Sequence, residues 1–413
     1  MPWWENETLK FRDGKLTIDG VPAETLARKY GTPVFVYSRR RLAANFDRLR
    51  ASFAAVKGFE VRLCYAMKAN PHSGILRRLK TAGAWIDAVS PREVLAARRA
   101  GFSGDRILFT GTSLGERDFR AVFDVPGVTV NIDAVEQIEA MREARPSRFK
   151  EGDIRVSVRW NPGLGRGFNP RVITAGTRSV DGTVIKFGVE EARVPEALEL
   201  AAAAGFRTVG LHQHLGSGWT ADDYPTVETA VERMIGLARE VVRTGTKLEF
   251  LDFGGGFGPR YMKTQKAFPV DRYARLIGRS VGRAGLGLRA IAVEPGKYLV
   301  ADAGVLLLGV NYLKRSYENL LACVDGGTFN TLPRTAVYAQ AYHEIVNASR
   351  SRGTRAAVTV AGHLCETGDV FGRDLPMVVP RSGEILAVLS AGAYGRSMAS
   401  EFNLRPIAAE ILR

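Results

Sequence analysis

CYAMKAN, residues 64–70, ends the apolar run VRLCYAMKA (61–69) close to a lysine and follows it with Asn70 and Pro71. Lysine is among the side chains least often fully buried unless something pairs or reacts with it. A lone strand-end lysine ordinarily reaches solvent along its own stem, so its neighbours in the fold decide what Lys68 is for. The segments that follow are regular. SGILRRLKTAG reads as a helix ending at Gly83, AWIDAVS as a strand, and PREVLAARRAG as a helix with Pro91 near its start and Gly101 after its end.

The alternation continues outward. RILFTG, VTVNID, IRVSVRWN, TVGLHQHLG, LEFLDFGGG and IAVEPG read as further strands, with helical stretches such as PEALELAAAAG and the segment from Tyr224 to Thr244 between several of them. Regular βα alternation implies parallel strands joined by right-handed crossovers. About eight strands over roughly 250 residues is the size of a (β/α)8 barrel, expected here over residues 40–292. After Val300 the texture becomes β-rich, with turn residues between VLLLGVNYLKRS, NLLACVDGG, RAAVTVAG and EILAVLSAGAYG. GKLTIDG and TPVFVYS near the N-terminus resemble those strands. Residues 1–39 plus 293–413 are therefore expected to form a second, antiparallel β domain.

The chain of 413 residues is 46% hydrophobic and 24% charged, enough for a large core and two domains. Its opening, MPWWENETLKFRDGKL, has acidic residues where a signal peptide needs a basic region. No apolar run approaches the ~20 residues of a membrane span. Three cysteines make no disulfide framework, which fits a reducing cytoplasm. The net charge of +15 is spread over dispersed arginines, without a basic tail or nucleic-acid module. A charged surface and anionic small ligands explain it better than nucleic acid, and no metal is expected.

Active sites of parallel barrels lie where the strands end. Those positions hold Lys68, Asp87 to Ser90, Asn161, His212 to Ser217, Gly254 to Gly258, and Glu294 to Lys297. GGGFG (254–258) lets backbone amides approach an anion, or else makes a tight turn. LHQHLGSG (211–218) offers a flat imidazole at His214 and a hydroxyl at Ser217. EPGK (294–297) sets a carboxylate at a strand end, where burial demands a cationic or hydrogen-bonded partner. An amine, a phosphate cradle, an imidazole and a carboxylate together meet the needs of pyridoxal phosphate. The aldehyde takes the lysine amine, and the pyridine nitrogen takes an acidic partner.

YAMKAN, HQHLGSG, GGGFG, EPG, CETGD and GAYGRSMASEFNLRP resemble, in order and over nearly the whole chain, the pyridoxal-phosphate decarboxylases of the alanine-racemase fold type (fold type III). Within them the resemblance runs closest to the diaminopimelate decarboxylases. It implies a (β/α)8 barrel plus a β domain, and a homodimer with shared active sites. Carried over, Lys68 matches the Schiff-base lysine and His214 the imidazole stacked on the ring. Ser217, Gly254, Gly255, Gly256 and Gly296 match the phosphate side, Glu294 the pyridine-nitrogen partner, and Tyr394 a tyrosine near both phosphate and substrate. Cys365 and Glu366 match a proton donor and a contact to the substrate's distal ammonium, contributed across the dimer interface. Arg334 and Tyr338 resemble residues that grip a distal carboxylate.

The chain departs from that pattern in three places. Lys297 stands where the family usually has arginine after EPG, and a flexible point charge does not replace a rigid fork. PRTAVYAQAYHEI carries one extra residue between Tyr338 and Tyr342, and His363 stands where proline is common. The implied reaction is loss of CO2 from an amino acid, with Cys365 returning a proton to Cα. With diaminopimelate as substrate the product is L-lysine. The alternatives are a sibling decarboxylase acting on another amino acid with a distal acidic or carrier-linked group, a racemase of the same fold, and a non-catalytic regulator.

Overall fold

The computed structural model describes residues 2–413. The chain divides into two compact units. One comprises Phe46–Gly258 and Lys266–Gly296, and the other comprises the segment ending at Asn45, Pro259–Gln265 and Lys297–Arg413.

The first unit is a closed barrel of eight parallel strands. They are Glu60–Ala66, Trp85–Ala88, Ile107–Phe109, Thr129–Ile132, Arg155–Asn161, Arg207–His212, Phe250–Asp252 and Ala290–Val293. Pairing of Leu63 with Val293 closes the ring. Cys64, Leu108, Val209, Phe250, Ala290 and Ala292 pack together inside, all without solvent exposure. The interior is crowded: a Cβ on Gly210 would lie 2.6 Å from the Phe250 ring, so only glycine lets that ring lie there.

The helices form where the sequence signals them. Ser73–Ala82 ends at Gly83, whose φ of +93° terminates the helix without the penalty a Cβ would bring. Pro91–Arg99 starts with Ser90 Oγ accepting from the Glu93 amide, while the Glu93 carboxylate accepts from the Val89 amide. Tyr224–Arg243 buries Val227, Val231, Met234, Ile235, Ala238 and Val241, one stripe at helical spacing.

One detail at the opening motif differs from the sequence reading. The first strand stops at Ala66, and Lys68 lies in a single 3-10 turn, Met67–Ala69. The turn is locked by the Asn70 amide donating to Met67 O and by the Tyr65 hydroxyl donating to Asn70 O at 2.8 Å. This carries Lys68 past the strand instead of leaving it in the ladder.

The second unit holds an eight-stranded sheet and a small three-stranded sheet near the N-terminus. The long strand Gly304–Ser316 is central. Its Leu306 pairs with Phe35 of Val34–Tyr37 on one side and with Val388 of Ile385–Val388 on the other, both antiparallel. The sheet is antiparallel for the most part, but mixed. Asn319–Val324 runs parallel to Arg355–Ala361, and Ala409–Leu412 runs parallel to Val34–Tyr37. Leu16, Ile18, Leu26, Val34, Val36, Val305, Leu307, Ala387 and Leu389 make a common core, so both chain ends build this unit. Among the described residues no helix is long and apolar enough to cross a membrane.

Candidate active site

The C-terminal ends of the barrel strands gather charge that no core position would tolerate alone. Lys68 Nζ lies 2.5 Å from Asp87 Oδ2, at the end of the second strand, and Asp87 has no solvent exposure. Glu294 follows the eighth strand and is pinned by its own amide donating to Gly254 O at 2.9 Å. Its Oε1 lies 3.1 Å from His212 Nε2, which is fully buried at the end of the sixth strand. Asp252, His212 and Glu294 bring one nitrogen and two carboxylate oxygens within 4.8 Å of one another.

Three buried carboxylates compete for charge beside one lysine. Burial, with repulsion from Glu294, pushes Asp87 above the ordinary carboxylate range and Asp252 well above it. Burial opposes charge on Glu294 too, but His212 and Lys68 outweigh it and hold that carboxyl at about 2. Of the three, Glu294 is therefore the carboxylate whose charged form the surroundings favour. Among the described residues its Oε1 makes no well-aligned hydrogen bond, the 3.1 Å approach of His212 Nε2 included, and Asp87 Oδ1 and Asp252 Oδ2 make none.

His214 lies on the same side as these groups and is mostly buried. Its Nδ1 accepts from the Gly255 amide at 3.1 Å, so that nitrogen carries no proton. Burial takes the imidazole's pKa down to about 3 against the pull of Glu294. The 3.5 Å approach of Nδ1 to Glu294 Oε2 is thus two acceptors meeting, not an ion pair. The ring is neutral, with its proton on Nε2.

The glycines do more than the amide cradle read from GGGFG. The Gly254 amide is committed to Asp252 Oδ1 at 2.9 Å and the Gly255 amide to His214, while Gly256 O accepts from the Gly218 and Trp219 amides. A Cβ on Gly256 would lie 2.2 Å from Trp219, and its φ of +122° excludes other residues independently. This run buckles the barrel end around His214 and Trp219. Two of its three amides are spent inside the protein. Ser217 is half-buried, and a Cβ on Gly296 would lie 3.1 Å from Ala66.

The second unit contains its own charged cluster. Lys297 and Arg334 are 4% and 3% exposed. Tyr261 lies against both: the Arg334 guanidinium is 4.4 Å from its ring centroid and Lys297 Nζ 6.0 Å. Lys297 Nζ is also 5.5 Å from the centroid of Tyr394, which holds a left-handed φ of +55°. Burial, and then Arg334, pushes Lys297 well below the ordinary lysine range. Tyr338 is half-buried at the end of the short helix Arg334–Val337. Cys365 and Glu366 are exposed, in the turn between two strands of the mixed sheet. That turn is rigid because buried Asp369 accepts from the Leu364 amide at 2.7 Å and from the Thr328 hydroxyl at 2.8 Å.

Sequence reading gave roles to Lys68, His214, Glu294 and Lys297, placed Asp87 and His212 among the strand ends without a role, and did not single out Asp252, Tyr261 or His343. The motif HQH held a signal for His212, since residues two apart on a strand share a face. Asp87 and Asp252 each end a barrel strand. Tyr261 and His343 carried no sequence signal of this kind.

The barrel residues fit pyridoxal phosphate. Lys68 supplies an amine held by a neighbouring carboxylate, and Glu294 Oε1 is a buried acceptor with no well-aligned donor, on a carboxyl held low enough to pair with a protonated ring nitrogen. Residues 39–301 match the family model described as pyridoxal-dependent decarboxylase, pyridoxal binding domain. The chain is 40% identical to the diaminopimelate decarboxylase of Methanothermobacter thermautotrophicus over 97% of its length and 90% of that protein's. It is 31% identical to the one from Aquifex aeolicus, over 98% and 92%. The diaminopimelate decarboxylase of M. jannaschii, solved in complex with L-lysine, superposes with a TM-score of 0.89 at 28% identity, covering 99% of this chain and 93% of that one. A barrel with this charged floor and these relatives leaves one assignment: the chain belongs to the family of pyridoxal-dependent decarboxylases that includes the diaminopimelate decarboxylases.

Proposed function

We propose that this enzyme removes CO2 from meso-2,6-diaminopimelate to leave L-lysine, acting in the cytoplasm as a homodimer with shared sites. The observation that carries the reaction type is Glu294, a buried carboxyl held at about 2 at the barrel's strand ends. A charged carboxylate there would favour a proton on the ring nitrogen of a bound cofactor, whereas racemases of this fold resemble a different pattern, with arginine in that place. The substrate rests on relatives named for diaminopimelate and on the neighbour solved with L-lysine.

Bound pyridoxal phosphate supplies an aldehyde that condenses with amines and a ring that takes up the electron pair left behind by CO2. In this chain Lys68 is the anchoring amine, and Asp87 holds its Nζ. His214, neutral and with Nδ1 satisfied by Gly255, presents a flat ring face for stacking. By the family resemblance, Ser217, Gly254 to Gly256, Gly296 and Tyr394 would hold the phosphate, although the Gly254 and Gly255 amides are already committed to Asp252 and His214. Lys297, Arg334 and Tyr338 take the substrate's distal carboxylate, and Tyr394 borders it. Cys365 returns a proton to Cα and Glu366 receives the distal ammonium. Their exposure on a single chain suits groups that serve a partner subunit's site.

A second reading keeps the chemistry and changes the substrate to another amino acid with a distal carboxylate or carrier-linked group. Lys297 in place of arginine favours it. Purified enzyme incubated with a panel of amino acids, with CO2 and products measured, separates the two. Release of L-lysine from meso-diaminopimelate supports the first, and turnover of another substrate alone sinks it. Borohydride should fix the cofactor onto Lys68.

A further inference from the structure

His343 is fully enclosed in the second unit, 2% exposed, and sits just before the edge strand Ile345–Asn347. That strand pairs antiparallel with Ile385–Val388, and the Leu389 amide extends the ladder by donating to Glu344 O at 2.9 Å. The register brings the imidazole against the next carbonyl. His343 Nδ1 lies 2.8 Å from Leu389 O, and His343 Nε2 lies 2.8 Å from Arg334 Nη1.

The tautomer follows from the partners. A carbonyl oxygen only accepts, so Nδ1 carries the proton; a guanidinium only donates, so Nε2 offers its lone pair. The ring is therefore neutral, and burial beside Arg334 reinforces this by taking its pKa down to about 3. Tyr261 completes the setting, edge-on to His343 at 5.3 Å and under the Arg334 guanidinium at 4.4 Å. The imidazole thus meets Arg334 at Nη1 and Tyr261 covers one face of the guanidinium.

We propose that His343 is a positioning residue for the substrate's distal carboxylate: it orients Arg334 through a neutral acceptor, so the guanidinium is fixed in place while its full positive charge stays available to the incoming anion. This rests on the reading of Arg334 as a carboxylate-binding residue. A carboxylate in place of His343 would hold Arg334 equally well but neutralise it. A side chain without an acceptor would remove this restraint, and more of the ordering of Arg334 would then fall on substrate binding. Fixing a rigid fork in advance is where arginine gains over lysine.

The test compares H343L with H343Q, whose amide carries both a donor and an acceptor, in the cofactor-loaded enzyme. Dissociation constants are measured by calorimetry for L-lysine, which has the carboxylate, and for 1,5-diaminopentane, which lacks it. KM and kcat for meso-diaminopimelate are measured alongside. H343L should weaken L-lysine and raise KM roughly tenfold or more, the usual worth of a hydrogen bond to a charged group. Binding of 1,5-diaminopentane and kcat should stay within about threefold, and H343Q should recover most of the loss. Equal weakening of both ligands, or none, overturns the proposal. If the wild type binds no L-lysine and releases none from diaminopimelate, the functional reading falls and this proposal with it. Nitrogen-15 NMR of the wild-type histidines gives a check independent of variant folding. His343 should show a protonated Nδ1 and an unprotonated Nε2 from pH 5 to 8; an imidazolium signal overturns the proposal.

Discussion

Lys68 Nζ and Asp87 Oδ2 are 2.5 Å apart, joining the turn after the first barrel strand to the end of the second. Asp87 has no exposure, and burial pushes its carboxyl up, so this contact is what draws its proton away. Asp87→Asn keeps the shape and removes the acceptor charge. A charge-assisted hydrogen bond is worth about 1.5–3 kcal/mol, so kcat/KM should fall roughly 10- to 100-fold. Steady-state decarboxylation, with cofactor content measured on the same samples, checks this. An unchanged kcat/KM would show that Asp87 does not orient Lys68.

Glu294→Gln removes the carboxylate of the barrel floor that is held well below the ordinary range. Loss of a preorganised electrostatic partner of this kind lowers kcat by roughly 100- to 1,000-fold. Cofactor should still be fixed by borohydride, because Lys68 is intact. Loss of cofactor together with activity would instead make Glu294 a binding residue. Because its folded pKa of about 2 lies below the usual 4.5, its stabilising effect is complete above pH 4.5 and fades as pH falls toward 2.

Lys297 is pushed well below the ordinary lysine range by burial and by Arg334. Carboxylate binding needs its charged form, so KM for diaminopimelate should rise as pH increases through its lowered pKa. Lys297→Arg keeps the charge throughout and should flatten that rise. KM measured from pH 6 to 10 for both proteins decides it. Parallel profiles would remove Lys297 from the substrate site.

Burial takes His214 and His343 down to about 3 from the usual 6.5. The unfolded chain then binds more protons than the fold between those values. Their stabilising effect is complete above pH 6.5 and is lost as pH falls toward 3, at about 1.4 kcal/mol per pH unit for each ring. Asp87 and Asp252, pushed up by burial, bend the profile the other way, so the difference between variants is the informative quantity. Urea midpoints from pH 7 to 5 should fall less steeply for His343→Gln than for the wild type. Equal slopes would mean that His343 takes up a proton in the fold.

Much of this protein is legible in one dimension. Apolar runs separated by capped helices announce eight βα units, because strand and helix periods are set by neighbours a few residues away. Glycine after the first helix and serine before the second mark their ends by φ and by amide capping. Strand ends in a parallel barrel share one face by topology alone, which is why Lys68, His214 and Glu294 are readable as one site from the order of the strands.

The rest depended on contacts that no local pattern encodes. Only the tertiary structure assigns Asp87 to Lys68 and Leu389 to His343, partners separated by 19 and 46 residues. It also shows that the Gly254 and Gly255 amides serve Asp252 and His214, where sequence reading offered them to a phosphate. Which of three buried carboxylates has its charged form favoured, and which nitrogen of His214 and His343 carries the proton, follow from burial and from partners at a few ångströms. Sequence determines which chemical groups reach the barrel's end; packing determines their protonation, and with it what they can do.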